Sequence, residues 1–189
     1  MAVGAYPGSF DPPTVAHLAI AEAAVRECHL DRVDLVLSEQ ALGKEDVAHA
    51  RLADRVAVLR TMATTRPWLG VVVTGAKLLV DVAAGYDIVV MGADKWAQVV
   101  DPAWYGGSDS RRDEALRRLP TAAVAARPGW PVPPGVVPLR LDRSHEAVSS
   151  TGVRSGTHDW LTAEAAEFAA ESGAWVDPPR YRRWLSAWT

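Results

Sequence analysis

A chain of 189 residues with 49% apolar and 23% charged residues has an ordinary globular composition and enough length to bury a core. Its formal charge of −3 excludes the broad basic surface of a non-specific nucleic-acid binder, while its arginines leave room for a local basic pocket. One cysteine, Cys28, excludes an internal disulfide, no apolar run approaches a membrane span, and no CxxC pair, HExxH, P-loop or internal repeat occurs. With no leader-like start at residues 1–10, the expectation is a cytoplasmic protein without nucleic-acid or membrane partners, its oligomeric state open and a homo-oligomer included.

Residues 2–6 form an apolar run that reads as a buried first strand, and residues 18–28 form an Ala-rich helix. Between them lies Gly8-Ser9-Phe10-Asp11-Pro12-Pro13-Thr14-Val15-Ala16-His17. Gly8 permits an unusual backbone angle or the close approach of a ligand, and the two prolines stiffen the loop. Thr14 is a good N-cap, which puts His17 at the third helical position and on the same face. Unpaired amides at a helix start, helped by the helix dipole, attract phosphate. The plainer reading is a turn in which Thr14 only caps and His17 only packs. The motifs downstream favour phosphate.

Residues 32–37 read as a second strand, followed by a polar loop over 38–49 that carries Lys44, one of three lysines. Residues 51–64 show a helical apolar stripe of Leu52, Val56, Leu59 and Met62, with Arg51, Arg55 and Arg60 outside it. Residues 68–74 make a third strand, and 76–84 a short helix ended by Gly85. Residues 86–91 are a nearly continuous apolar strand, as in the centre of a parallel sheet. This strand runs into Gly92-Ala93-Asp94-Lys95-Trp96. Ligands of open α/β sheets sit beyond the carboxyl ends of the strands, so Asp94 and Trp96 are placed to meet one. Trp96 and Trp104 are open to two readings, ligand contact or core packing.

Residues 106–110 read as a flexible loop, 110–119 as a charged helix and 121–126 as a fifth strand closed by Arg127-Pro128-Gly129. A Pro-rich surface loop over 130–138 leads to a last strand within 136–141. Ser149-Ser150-Thr151-Gly152-Val153-Arg154 is a second phosphate motif: hydroxyls at a helix start, with an arginine fork on the face of Thr151. Helices over 162–172 and 177–185 close the chain. The alternation predicts an α/β fold, a Rossmann-like doubly wound parallel sheet, in one domain over 1–189 with 150–189 as a C-terminal helical part. The absence of GxGxxG argues against a redox dinucleotide enzyme.

GSFDPPTVAH resembles the GxFDPxxxGH signature of the nucleotidylyltransferase superfamily, and SSTGVR resembles its SSTxxR signature. The GAD at Gly92 and the Arg127-Pro128-Gly129 turn resemble the nicotinate mononucleotide adenylyltransferases. Two positions depart from the pattern. Ala16 stands where the family usually has glycine, and Thr14 where the nicotinate enzymes usually have a first histidine and the phosphopantetheine enzymes often have threonine. Between Gly70 and Gly85 the Thr/Tyr-containing segment of the nicotinate enzymes is missing.

The resemblance implies adenylyl transfer from ATP to nicotinate or nicotinamide mononucleotide, with release of pyrophosphate. The runner-up acceptor is 4′-phosphopantetheine or another phosphate-bearing molecule. A nucleotide-binding module without turnover is the reading from another class, and intact His17, Lys44 and Arg154 weigh against it. The implied catalytic residues are His17, Lys44 and Arg154. Gly8, Ser9, Phe10, Thr14, Gly92, Asp94, Ser149, Ser150 and Thr151 would hold the nucleotide, and Trp96 and Trp104 the acceptor. Mg²⁺ is the implied cofactor, bridging phosphate oxygens with no residue assigned as its ligand.

Overall fold

A computed structural model describes residues 1–39 and 50–187. Lys44 lies outside the described residues. Six strands form one parallel sheet: β1 (Val3–Pro7), β2 (Arg32–Ser38), β3 (Leu69–Thr74), β4 (Ile88–Gly92), β5 (Thr121–Ala125) and β6 (Val137–Leu139). Their spatial order is β3-β2-β1-β4-β5-β6. The chain therefore winds outward twice from β1, and the switch point lies between β1 and β4.

Successive residues of a strand point to opposite faces, and here they feed two cores. Val90, Ala123 and Ala125 join one cluster with α1 (Val15–Glu27) and α2 (Leu52–Thr64). Val89, Met91, Ala122 and Val124 join another with α3 (Leu79–Val82), α4 (Ala93–Val100) and α5 (Asp109–Arg118). A short α6 (Arg143–Glu146) and α7 (Ser150–Arg154) precede α8 (Ala163–Ser172) and α9 (Pro178–Ser186). These last two helices pack with Val58 of α2 and Val153 of α7 in a third cluster. No described helix is long and apolar enough to cross a membrane.

The doubly wound parallel sheet read from the sequence is present, with the C-terminal helices beside it. The differences are local. The helix expected over 76–84 is one turn, Leu79–Val82. The segment after Gly92, read only as a ligand-facing stretch, is the helix α4: Ala93 and Val99 are buried with Trp96 packed beside them, while Asp94, Lys95 and Gln98 face outward. The loop expected over 106–110 is shorter: Gly106 and Gly107 turn at positive φ, Ser108 caps α5, and Asp109 already begins the helix.

Candidate active site

The first motif leaves β1 at the switch point. The Gly8 amide donates to the Val36 carbonyl at 3.0 Å, which keeps the loop against β2. A Cβ on Gly8 would sit 2.8 Å from the Phe10 ring, so this loop requires glycine there. Phe10 itself is buried at a φ of 45° and lines neither cavity described below. The nucleotide contact expected of Phe10 is therefore not made by its side chain. Its ring instead meets Tyr6 and His17 edge-on, with centroids at 5.5 and 5.1 Å, and props the histidine.

Thr14 is the N-cap of α1 and His17 its third residue, as read from the sequence. The two close a reciprocal capping box. The His17 amide donates to Thr14 Oγ1 at 3.4 Å, and the Thr14 amide donates to His17 Nδ1 at 3.0 Å. An amide can only donate, so Nδ1 is the acceptor nitrogen. The neutral ring then carries its proton on Nε2, the donor form that a phosphate oxygen needs.

The second motif meets the first across the switch point. Ser150 Oγ donates to the Pro12 carbonyl at 2.7 Å. Arg154 donates through Nη1 to the Asp11 carbonyl and through Nη2 to Thr151 Oγ1 at 3.3 Å. Asp11 is buried, and its Oδ1 accepts from Trp175 Nε1 at 2.6 Å. Ser149 caps α7 by accepting from the Gly152 amide at 3.0 Å and lines neither cavity. This hydroxyl, expected to hold the nucleotide, is turned to its own helix.

His17, Gly92, Asp94, Arg127, Ser150, Thr151 and Arg154 line a cavity of about 330 Å³, with Gly8, Ser9 and Thr14 on the same wall. Arg127 donates to the Val148 carbonyl at 2.8 Å and holds Nε 3.9 Å from Asp94 Oδ1. Burial pushes the Tyr6 phenol well above its ordinary range, so this wall residue stays neutral.

A second cavity, of about 220 Å³, adjoins the first and shares Pro7, Gly8, Ser9, Lys95 and Gln98 with it. Its far wall is apolar, built from Val36, Leu78–Val80, Val82, Val99, Trp104 and Tyr105. Its charged lining among the described residues is cationic: Arg55, Lys77 and Lys95. Arg55 is fixed by donating to the Ser9 carbonyl at 2.6 Å and the Ala50 carbonyl at 3.1 Å. Trp104 is 52% exposed, and Lys95 Nζ lies 5.9 Å from its ring centroid. Trp96 lines neither cavity, because its place on the inward stripe of α4 turns it to the core. Arg55, Lys77, Lys95 and Arg127 line the cavities without having been assigned from sequence. Arg55 in the basic face of α2, Lys95 in the GAD stretch and Arg127 in the RPG turn were the available signals.

Hydroxyl, imidazole and guanidinium groups from two distant motifs, gathered at the carboxyl edge of a doubly wound sheet, form the kind of site that α/β nucleotide enzymes carry. Residues 5–156 match the family model described as cytidylyltransferase-like, and the chain belongs to that family. It is a nucleotidyltransferase, and its relatives make it an adenylyltransferase. It is 31% identical to a probable nicotinate-nucleotide adenylyltransferase of Methylorubrum extorquens, over 69% of this chain and 72% of that one. A protein of the same description from Bordetella avium is 33% identical, over 67% of this chain and 65% of its own length. Among solved structures, the fold is similar to Plasmodium falciparum nicotinic acid mononucleotide adenylyltransferase. The match to that enzyme complexed with NaAD has a TM-score of 0.67 at 11% identity, covering 92% of this chain and 96% of the other. The match to its complex with APC has a TM-score of 0.65 at 12% identity, with the same coverage.

Proposed function

We propose that the protein transfers the adenylyl group of ATP to nicotinate mononucleotide, forming the dinucleotide and releasing pyrophosphate. The observation that carries this reading is the pair of adjoining cavities that share the Gly8–Ser9 shelf, one lined by phosphate-binding groups and the other apolar with cations and an exposed tryptophan. The names of the relatives at 31–33% identity support the same acceptor.

ATP lies in the first cavity and the acceptor in the second. An oxygen of the acceptor phosphate attacks the α-phosphorus in line, and the bond to the α,β-bridging oxygen breaks. Pyrophosphate leaves with the bonding pair. With no covalent enzyme intermediate, the protein aligns the phosphates and neutralises charge as it moves. His17 donates from Nε2 to the α- and β-phosphates. Ser150, Thr151 and Arg154 hold the β- and γ-phosphates and the leaving group. Lys44 reaches the acceptor or α-phosphate, on the strength of the resemblance alone. Trp104 stacks the pyridine ring. Arg55 and Lys77 favour an acceptor with a ring carboxylate over one with an amide, since their charge rewards an anion.

No cluster of three or more His, Cys, Asp or Glu among the described residues could cage a metal, and Asp94 is the carboxylate on the wall of the first cavity. Such a wall fits Mg²⁺ brought with the nucleotide rather than a caged ion, and Asp94 is the residue that would hold it. When bound, the ion would supply charge neutralisation there.

Pyrophosphate release with ATP and each of nicotinate mononucleotide, nicotinamide mononucleotide and 4′-phosphopantetheine tests the reading. Turnover fastest with nicotinate mononucleotide is the expected result. Turnover with phosphopantetheine alone would replace the acceptor, and ATP binding without turnover on any would replace the class.

A further inference from the structure

We propose that Lys95 is a further catalytic residue, a cation at the junction of the two cavities that contacts the acceptor phosphate and the α-phosphate as they join. The proposal rests on the adenylyl-transfer reading above. Five of the described residues line both cavities, and Lys95 is the cation among them. It sits in the first turn of α4, immediately beyond the carboxyl end of β4. Its Nζ donates to Gln98 Oε1, another shared residue, at 3.2 Å. On the acceptor side the same Nζ lies 5.9 Å from the Trp104 ring centroid. The ammonium is thus held over the shared wall by a partner one helical turn away.

The chemistry requires a charge at that place. Transfer forms a bond between two phosphate groups that repel each other, and the repulsion is greatest where the cavities meet. Arg55 and Arg154 stand on opposite sides of the junction, each lining one cavity and each bonded to loop carbonyls. Lys95 belongs to both sides. An ammonium also suits the task better than a fixed fork, because its donors rotate as the phosphate geometry changes.

The test is steady-state pyrophosphate release by Lys95→Ala, Lys95→Gln and Lys95→Arg in the full chain, with thermal melts confirming that each folds. For Lys95→Ala and Lys95→Gln, kcat should fall by roughly 100-fold, the loss of one transition-state donor. The KM for ATP should stay within about threefold, since the β- and γ-phosphates keep their own partners. Lys95→Arg, or methylamine added to Lys95→Ala, should recover about tenfold of the loss, which a structural role would not allow. Wild-type kcat in Lys95→Ala overturns the proposal, and so does a loss that neither arginine nor methylamine recovers. If the parent uses another phosphate-bearing acceptor, the pyridine reading falls and the same measurements on that acceptor decide Lys95. If the parent uses none, both fall.

Discussion

His17 is both a cap and a catalytic candidate, and the two roles separate by substitution. His17→Ala removes the Nε2 donor and leaves the Thr14 amide without its Nδ1 acceptor. Turnover should fall by roughly two to three orders of magnitude, with a loss of about 0.5–2 kcal/mol in stability. His17→Gln rebuilds a capping box of the Thr-x-x-Gln form, so thermal melts should return toward the parent while turnover stays low. A glutamine variant that regains activity would return His17 to a structural role. Arg154→Lys tests the other motif. One ammonium cannot span both the Asp11 carbonyl and Thr151 Oγ1 as the fork does, so the KM for ATP should rise by roughly tenfold, the size of about 1.4 kcal/mol. Unchanged ATP kinetics would remove Arg154 from the phosphate clamp. At this scale the sequence was informative about Thr14, His17 and Arg154, because capping and helical spacing are local. It could not tell Trp96 from Trp104. One lies on the inner stripe of α4 and the other in a 3₁₀ turn, Pro102–Tyr105, beyond it, and that difference exists only once the helix has a face to bury.

Among the elements, α7 shows how tightly the second motif is seated. A Cβ on Gly152 would lie 2.3 Å from Trp160 Cζ3, far inside contact distance, and the ring belongs to the 3₁₀ turn His158–Trp160. Gly152→Ala should therefore displace α7 and cost about 1–3 kcal/mol as an overpacked site. Ser150 and Arg154 move with it, so the KM for ATP should rise while the acceptor KM changes less, because the acceptor cavity takes no residue from α7. Equal change in both constants would mean the strain spreads beyond the motif. The long elements were legible: α1, α2, α8 and α9 carry caps or apolar stripes, β1 and β4 are apolar runs, and β2 alternates into one. The helix α4 was not, since its eight residues give only two turns and its outward face was read as a ligand-facing stretch. The three-residue β6 falls within the 136–141 read as the last strand, whereas the four residues of α6 are too few for any periodicity to register.

Across the whole molecule, the C-terminal segment clasps the sheet through buried and half-buried polar contacts. Trp175 reaches Asp11 in the loop after β1, Glu164 pairs with Arg66 at 2.7 Å beyond the end of α2, and the Tyr181 hydroxyl donates to Asp54 at the start of α2. No local pattern announces these bonds, because each partner lies more than 90 residues from the other. Tyr181 is 6% exposed, and burial, then its hydrogen bond to Asp54, pushes its phenol up to about 12 from an ordinary 10.0. A folded-state value above the unfolded one means the phenol contributes stability that is fully present below pH 10 and is lost as pH rises toward about 12. Tyr181→Phe should lower stability at pH 7 by about 1–3 kcal/mol, because among the described residues Asp54 then keeps only Arg51 as a side-chain partner and the Arg51 amide loses its acceptor. The variant should also lose less on alkaline titration than the parent, since it has no phenol there to ionise. Tyr86, raised to about 12 by burial and then by Asp34, lies just before β4 and bonds Asp34 of β2, so it should contribute the same alkaline slope to both proteins. Melting temperatures followed from pH 8 to 11 separate the two terms. Parallel curves for parent and variant would show that the Tyr181 phenol is not held by Asp54, and the clasp would then rest on the apolar cluster of Ala165, Ala169 and Trp175.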